Sequence, residues 1–255
     1  MGNALTSICQ SSRSEWHVRH IKMRMKGLSL TGTFVNTGAI LAGSLIGISA
    51  GKFLPERIKT IAMQALGLSV VLIGLRMALS GKEPIIAIGC VLLGAITGEL
   101  IKIEQGVERI GEWLKARFRS DSSTFVQGFV SASILYLTGA MMIVGSIQDG
   151  TVGDASTLYI KSLLDGVASI AFSSSLGIGV AFSALSVLLV QGSITLLSSK
   201  LLFLQNPAVL DAVTASGGIL ILGIGTNLLE LTKIRIGNFL PALLYAILWA
   251  VFMGN

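Results

Sequence analysis

Eight long apolar segments constrain the fold of this 255-residue chain more than any motif does. They cover residues 30–51, 58–80, 84–101, 124–147, 155–173, 175–199, 208–230 and 236–254. A helix needs about 20 apolar residues to cross a bilayer core roughly 30 Å thick. Charged residues make up only 13% of the chain, against about 25% in a soluble domain. The sequence therefore predicts an all-α polytopic membrane protein with seven or eight transmembrane helices, in one domain over residues 26–255. The short, charged fifth segment either spans the membrane or re-enters it.

Two polar segments lie outside these runs. Residues 1–25 are basic and predict a disordered tail, unless translation begins at Met23 or Met25. Residues 102–119 place apolar side chains on one helical face and predict an interfacial amphipathic helix, with a cytosolic linker helix as the alternative. The apolar positions are Ile103, Val107, Ile110 and Leu114, and Trp113 is expected near the headgroups.

A charged pair interrupts the fifth apolar segment. Lys161 and Asp165 are four residues apart, so a helix presents both on one face. A charge near the bilayer centre costs several kcal/mol unless it is paired or hydrated, and such residues commonly mark a solute or ion pathway. The alternative is a purely structural pair that joins helices.

A glycine-rich segment precedes this pair. Residues 145–154 read GSIQDGTVGD and carry Gln148, Asp149 and Asp154. Because glycine disfavours a helix interior, we expect a break here, with the three side chains shaping the entrance to a polar cavity. An ordinary extramembrane loop is the alternative. In either case Asp154 is expected to cap the following helix.

Other polar side chains stand in apolar surroundings. They are Asn36, Gln127, Tyr136, Gln191 and Asn227. Each alone is typical of a hydrogen bond between helices. Together with Lys161 and Asp165, we expect Asn36, Gln191 and Asn227 to line the pathway.

Glycines at four-residue spacing predict close helix packing. Gly43, Gly47 and Gly51 form such a stripe, either within the protomer or between copies in a homo-oligomer. A second pattern indicates internal duplication, because Gly67 and Gly74 match Gly218 and Gly225 at a constant offset. With eight spans this offset reverses orientation and favours an inverted repeat, as in many secondary transporters.

Several classes of protein are disfavoured. Both histidines, His17 and His20, lie in the tail, so a histidine metal site or a Ser–His nucleophile is not expected in the membrane body. No nucleotide-binding motif occurs, and we expect no enzyme activity, no cofactor, no bound metal and no nucleic-acid partner. An intramembrane hydrolase using Asp154 and Asp165 is the weakest alternative, because one continuous helix would hold them roughly 16 Å apart.

The order of several motifs resembles the YdfK/YqgA family of bacterial inner-membrane proteins. The motifs are TGTFVNTGAILAGSLIG at 31–47, VGSIQDG at 144–150, GD at 153–154, KSLLDG at 161–166, VAFSALSVLLVQGSITL at 180–196 and ASGGILILGIGTNLL at 215–229. The resemblance implies a multi-pass protein of the bacterial plasma membrane and carries no activity with it.

The sequence thus favours a secondary transporter or permease for a small polar or charged solute, embedded in the lipid bilayer. Asp165 is predicted to bind a proton or cation and Lys161 to be its switchable partner. The alternative is a channel or a non-transporting oligomeric scaffold, in which the charged pair is structural.

Overall fold

The computed structural model describes residues 29–120 and 122–253, and every regular element in those ranges is helical. The ten α-helices there are α1 Thr31–Lys52, α2 Glu56–Leu79, α3 Pro84–Ile101, α4 Ile103–Arg117, α5 Phe125–Leu137, α6 Ala140–Val152, α7 Ser156–Leu176, α8 Gly179–Leu196, α9 Pro207–Leu228 and α10 Pro241–Phe252. Short 3₁₀ helices cover Ser198–Lys200, Leu202–Gln205 and Ile236–Phe239. The all-α prediction is confirmed, and the tail predicted over residues 1–25 lies outside the described ranges.

Within the described residues, five helices are long and apolar enough to cross a membrane, namely α1, α2, α3, α8 and α9. The bent pair formed by α5 and α6 makes a sixth candidate if it is counted as one span. These numbers do not confirm the predicted seven or eight. Helix α7 has 21 residues, but its charged pair and several serines lower its hydropathy, and α10 has only 12 residues.

A sharp bend divides the predicted fourth segment. The axes of α5 and α6 differ by 65° across Thr138 and Gly139. Gly139 has a φ of 115°, a backbone conformation that favours glycine. The predicted segment over residues 124–147 is therefore bent at Gly139, where this backbone conformation changes the direction of the chain.

The predicted break at residues 145–154 is confined to the end of that range, since α6 stays helical as far as Val152 and α7 begins at Ser156. Its glycines serve packing instead of flexibility. A methyl group added at Gly145 would lie 2.7 Å from a Leu158 side-chain carbon, and one at Gly150 would overlap the Thr195 carbonyl oxygen. Close tertiary packing thus outweighs the low helix propensity of glycine. The helix ends at Gly153, whose φ is 70°.

Helices α2 and α9 pack antiparallel through reciprocal glycine contacts. A methyl group added at Gly74 would lie 2.8 Å from the Gly218 carbonyl oxygen, and one at Gly218 would lie 2.8 Å from that of Gly74. Likewise, a methyl group at Gly225 would lie 3.1 Å from the Gly67 carbonyl oxygen. Because any two antiparallel helices in contact have such a local two-fold relation, the inverted repeat stays a prediction.

The stripe of Gly43, Gly47 and Gly51 lies inside the protomer. The three glycines are buried against the backbone of α7, facing the carbonyl oxygens of Gly166, Ile170 and Ser174 in turn. The constant register shows that α1 and α7 run parallel. The stripe is therefore not a free surface for a second copy, and homo-oligomerisation stays a prediction that requires another surface.

The amphipathic helix predicted over residues 102–119 is present as α4. Leu114 packs with Phe125 and Phe129, whereas Trp113 on the other side is 63% exposed. The interfacial position of Trp113 stays a prediction.

Hydrogen bonds join the start of α4 to the turn before α10. Asn238 Oδ1 accepts the backbone N–H of Glu104 at 2.7 Å, and the Glu104 carboxylate accepts that of Gly237. Burial raises the pKa of the Glu104 carboxyl, and the Gly237 N–H opposes that shift. The corner between α3 and α4 is thereby fixed to the last part of the described chain.

Candidate functional site

The inner face of α7 carries the charged pair. Lys161 Nζ donates to Asp165 Oδ2 at 2.5 Å, and the two side chains are only 7% and 10% exposed. Asp165 lies nine residues after Ser156, so it stands roughly 14 Å along the helix, near its middle. The pairing predicted from the four-residue spacing is present.

The opposite face of α7 is apolar and exposed. Its exposed side chains include Tyr159, Ile160, Leu163, Leu164 and Val167. A helix with charges inside and aliphatic side chains outside is typical of a membrane environment. The face pattern therefore supports a position of α7 within the bilayer despite its modest hydropathy.

Helix α1 supplies the next member of the site. Asn36 Nδ2 donates to Asp165 Oδ2 at 3.0 Å and to Gln191 Oε1 on α8 at 2.9 Å. Asn36 and Gln191 are both 0% exposed. One buried amide thus joins α1, α7 and α8 around the carboxylate.

Two threonines extend this network toward the ends of the helices. Gln191 Nε2 donates to Thr33 Oγ1 at 3.2 Å, and the Thr33 and Thr195 hydroxyl oxygens lie 3.3 Å apart. The sequence reasoning missed both threonines. Helical spacing could have identified them, because Thr33 lies three residues before Asn36 and Thr195 lies four residues after Gln191.

Asp149 on α6 binds the first turn of α1. Its Oδ2 accepts the backbone N–H of Gly32 at 2.9 Å, and the side chain is 0% exposed. The first N–H groups of a helix lack intrahelical acceptors and carry partial positive charge, so a carboxylate is favourable there. Gly32 and Asn36 are four residues apart, so Asp149 and Asp165 hold one face of α1 at successive turns.

Some buried oxygens of this region have no hydrogen-bond partner among the described residues. They are Asn36 Oδ1, Asp149 Oδ1 and Ser198 Oγ. A buried acceptor without a partner costs about 1–3 kcal/mol. Such atoms are unusual in a packed interior, and in native proteins they commonly bind ordered water or an ion.

The remaining predicted residues lie at the margin or elsewhere. Gln148 Oε1 accepts the Thr157 hydroxyl at 2.8 Å, which links α6 to α7. The Asn227 side chain bonds instead to Thr232 and Ile234 in the loop after α9, outside the network.

Asp154 caps α7 as predicted. Its Oδ1 accepts the backbone N–H of Ser156 at 3.0 Å, and this bond holds the pKa of the Asp154 carboxyl below its usual value. Asp154 is exposed, whereas Asp165 is buried on a helix that is continuous from Ser156. Since no break brings the two carboxylates together, the geometry gives no support to a hydrolase that would use both.

Comparison with known proteins agrees with this architecture. Residues 31–251 match the family described as "Protein of unknown function (DUF554)". The chain is 31% identical over 217 residues to "Uncharacterized membrane protein YdfK" of Bacillus subtilis (strain 168), covering 84% of this chain and 92% of the relative. It is 30% identical over 220 residues to "Uncharacterized protein YqgA" of Escherichia coli (strain K12), covering 84% and 94%. No solved structure matches. The matched region contains every helix of the polar network, and the chain belongs to the DUF554 family of membrane proteins.

Proposed function

We propose that the protein is a secondary transporter or permease for a small polar or charged solute in the bacterial plasma membrane. The observation that carries the proposal is the buried network in which Asp165 connects α1, α7 and α8 beside Lys161. A membrane protein gains little from burying charge unless the charge serves binding or movement, because a well-packed apolar core is at least as stable.

The proposed mechanism assigns Asp165 the central binding role. A proton or cation arriving at Asp165 competes with Lys161, and the released lysine changes the charge of the cavity. Asn36 donates to both Asp165 and Gln191, so a change at Asp165 alters the contact between α1 and α8 as well. Asp149 and Gln148 lie one helix away and shape the approach.

The first test measures flux through the Asp165→Asn variant. Purified protein in proteoliposomes is exposed to concentration jumps of amino acids, carboxylates, amines and inorganic ions, and charge movement is recorded on a supported membrane. We expect a current with at least one solute class for the wild type and for the Asp211→Asn variant, which changes a half-buried carboxylate outside the network. The current should be lost in Asp165→Asn. Normal current in that variant would contradict the proposed role.

The second test measures water access to the inner face of α7. In a background with Cys9 and Cys90 replaced, Ser162→Cys on the buried face should react with a membrane-impermeant thiol reagent in intact cells or inverted vesicles. Leu164→Cys, on the exposed apolar face of the same helix, should stay unlabelled because it contacts lipid. If neither cysteine reacts from either side in a folded protein, no aqueous path reaches the site.

A non-transporting oligomeric scaffold is the second candidate. The observation in its favour is that Lys161 and Asn36 both donate directly to Asp165 Oδ2, as they would in a permanent structural contact. The two candidates differ in the labelling experiment, since a scaffold needs no water at Ser162.

A further inference from the structure

The formal charge of the buried core is unbalanced. The buried charged residues within the described ranges are Asp149, Lys161 and Asp165, which are 0%, 6% and 7% exposed as whole residues. When both carboxylates are ionised they carry two negative charges against one positive charge on Lys161. Because Lys161 pairs with Asp165, the charge opposite Asp149 is only the partial positive charge at the start of α1. A buried carboxylate that lacks a full counter-charge is unfavourable, so a cation beside it would stabilise the fold.

None of the described helices around Asp149 supplies a cationic side chain to it. Within residues 29–120 and 122–253, its hydrogen-bond donor is the backbone N–H of Gly32 on α1. On α7 the nearest lysine is already paired, α8 has no ionisable side chain, and Lys200 on the adjoining 3₁₀ helix is exposed. On α9 the ionisable side chain is Asp211, a half-buried carboxylate that accepts the backbone N–H of Lys82.

Further oxygen atoms lie beside α6 at the residue that follows Asp149. Asp149 Oδ1 and Ser198 Oγ have no hydrogen-bond partner among the described residues, although both residues are 0% exposed. Gly150, the residue after Asp149, lies directly against Ser198 and the Thr195 carbonyl oxygen. That carbonyl belongs to the last turn of α8, where the helix dipole favours cations.

A proton would fit this corner less well than a metal cation. A proton on Asp149 Oδ1 would cancel the charge but satisfy only that oxygen. An alkali-metal ion is a hard cation that takes carboxylate, hydroxyl and carbonyl oxygens together, and helix C-terminal ends coordinate sodium in several transporter folds.

We propose that the corner between α1, α6 and the end of α8 binds one alkali-metal cation, with Asp149 as its charged ligand. Ser198 Oγ and the Thr195 carbonyl contribute neutral oxygens. Since Asp149 also holds the first turn of α1, cation binding and the position of α1 are linked. The role of this ion in coupling rests on the proposed transport function, but its binding does not.

The test uses the full-length protein in detergent and needs no solute. The unfolding midpoint is measured at fixed pH while sodium or potassium chloride replaces choline chloride at constant total concentration. A ligand that binds only the folded state raises the midpoint in proportion to the logarithm of its concentration. We expect a rise of several degrees for the wild type and for the control Asp211→Asn. In Asp149→Asn, the apparent affinity should fall at least tenfold.

Direct binding of radioactive sodium or rubidium to the wild type provides a measurement that does not depend on how well the variants fold. It should saturate at a single ion per chain, and Ser198→Ala should weaken it several-fold. Absence of alkali dependence in the wild type, or dependence that persists in Asp149→Asn, would overturn the proposal. A midpoint that responds to pH through Asp149 but not to alkali ions would overturn it in favour of a proton.

The outcome is separable from that of the flux experiment. Cation binding without flux in any assay leaves the ion site standing and removes the transport role. Flux without alkali binding leaves the transport function standing and removes the ion site.

Discussion

Replacing Lys161 with methionine is expected to destabilise the protein by about 3–5 kcal/mol, because it leaves the buried Asp165 carboxylate without its cationic partner. Asp165→Asn should also be destabilising, since it isolates the lysine. The double variant should lose much less than the sum of the two, with a coupling energy of roughly 1–3 kcal/mol. The measurement is the free energy of unfolding in mixed micelles for the four proteins of the cycle.

This cycle also separates stability from transport. The double variant has no buried charge at the pair and is expected to recover most of the lost stability. If Asp165 serves transport, that well-folded variant should still carry no solute-dependent current. Strictly additive effects of the two substitutions would show that the contact at 2.5 Å contributes no net stability.

Gly47→Ala is expected to separate α1 from α7. The added methyl group would lie 3.0 Å from the Ile170 carbonyl carbon and closer still to its oxygen, and backbone on both sides leaves little room to relax. We expect a loss of roughly 2–3 kcal/mol, typical of overpacking in a rigid contact. Because α1 carries Asn36, the shift should also weaken the bonds to Asp165 and Gln191.

Gly38→Ala is the matched control on the same helix. No atom lies within 4 Å of a methyl group at Gly38, which is exposed. Its unfolding free energy should therefore stay close to that of the wild type or rise slightly through helix propensity. Equal losses for the two variants would mean that the α1–α7 contact does not limit stability.

The sequence predicted local relationships well and distant ones poorly. The Lys161–Asp165 pair follows from helical geometry alone, and the capping role of Asp154 from its position before a helix. Asn36 was recognisable as a polar residue in an apolar run, but its partners are 129 and 155 residues away. Such pairing depends on tertiary packing, which spacing within one helix does not encode.

The positions of helix breaks were the least predictable feature. Thr-Gly-Ala occurs at residues 37–39 and again at 138–140, yet the first copy lies within a continuous helix and the second at the 65° bend. Glycines at 145 and 150 suggested a break, but they are needed where α6 touches Leu158 and Thr195. Whether a glycine bends a helix or admits a neighbour depends on what lies beside it.

The two faces of α7 have a consequence for how the protein is made. Lysine and aspartate near the centre of a helix each oppose insertion from the translocon by about 3 kcal/mol, whereas leucine or isoleucine favours it by only about 0.5 kcal/mol. Helix α7 alone is therefore a poor insertion substrate. Only Gly177 and Ile178 separate it from the apolar α8, which carries Gln191. We therefore expect α7 to stay in the translocon until α8 has been synthesised. The two helices would then insert together as a hairpin and pack against α1, which is already in the bilayer.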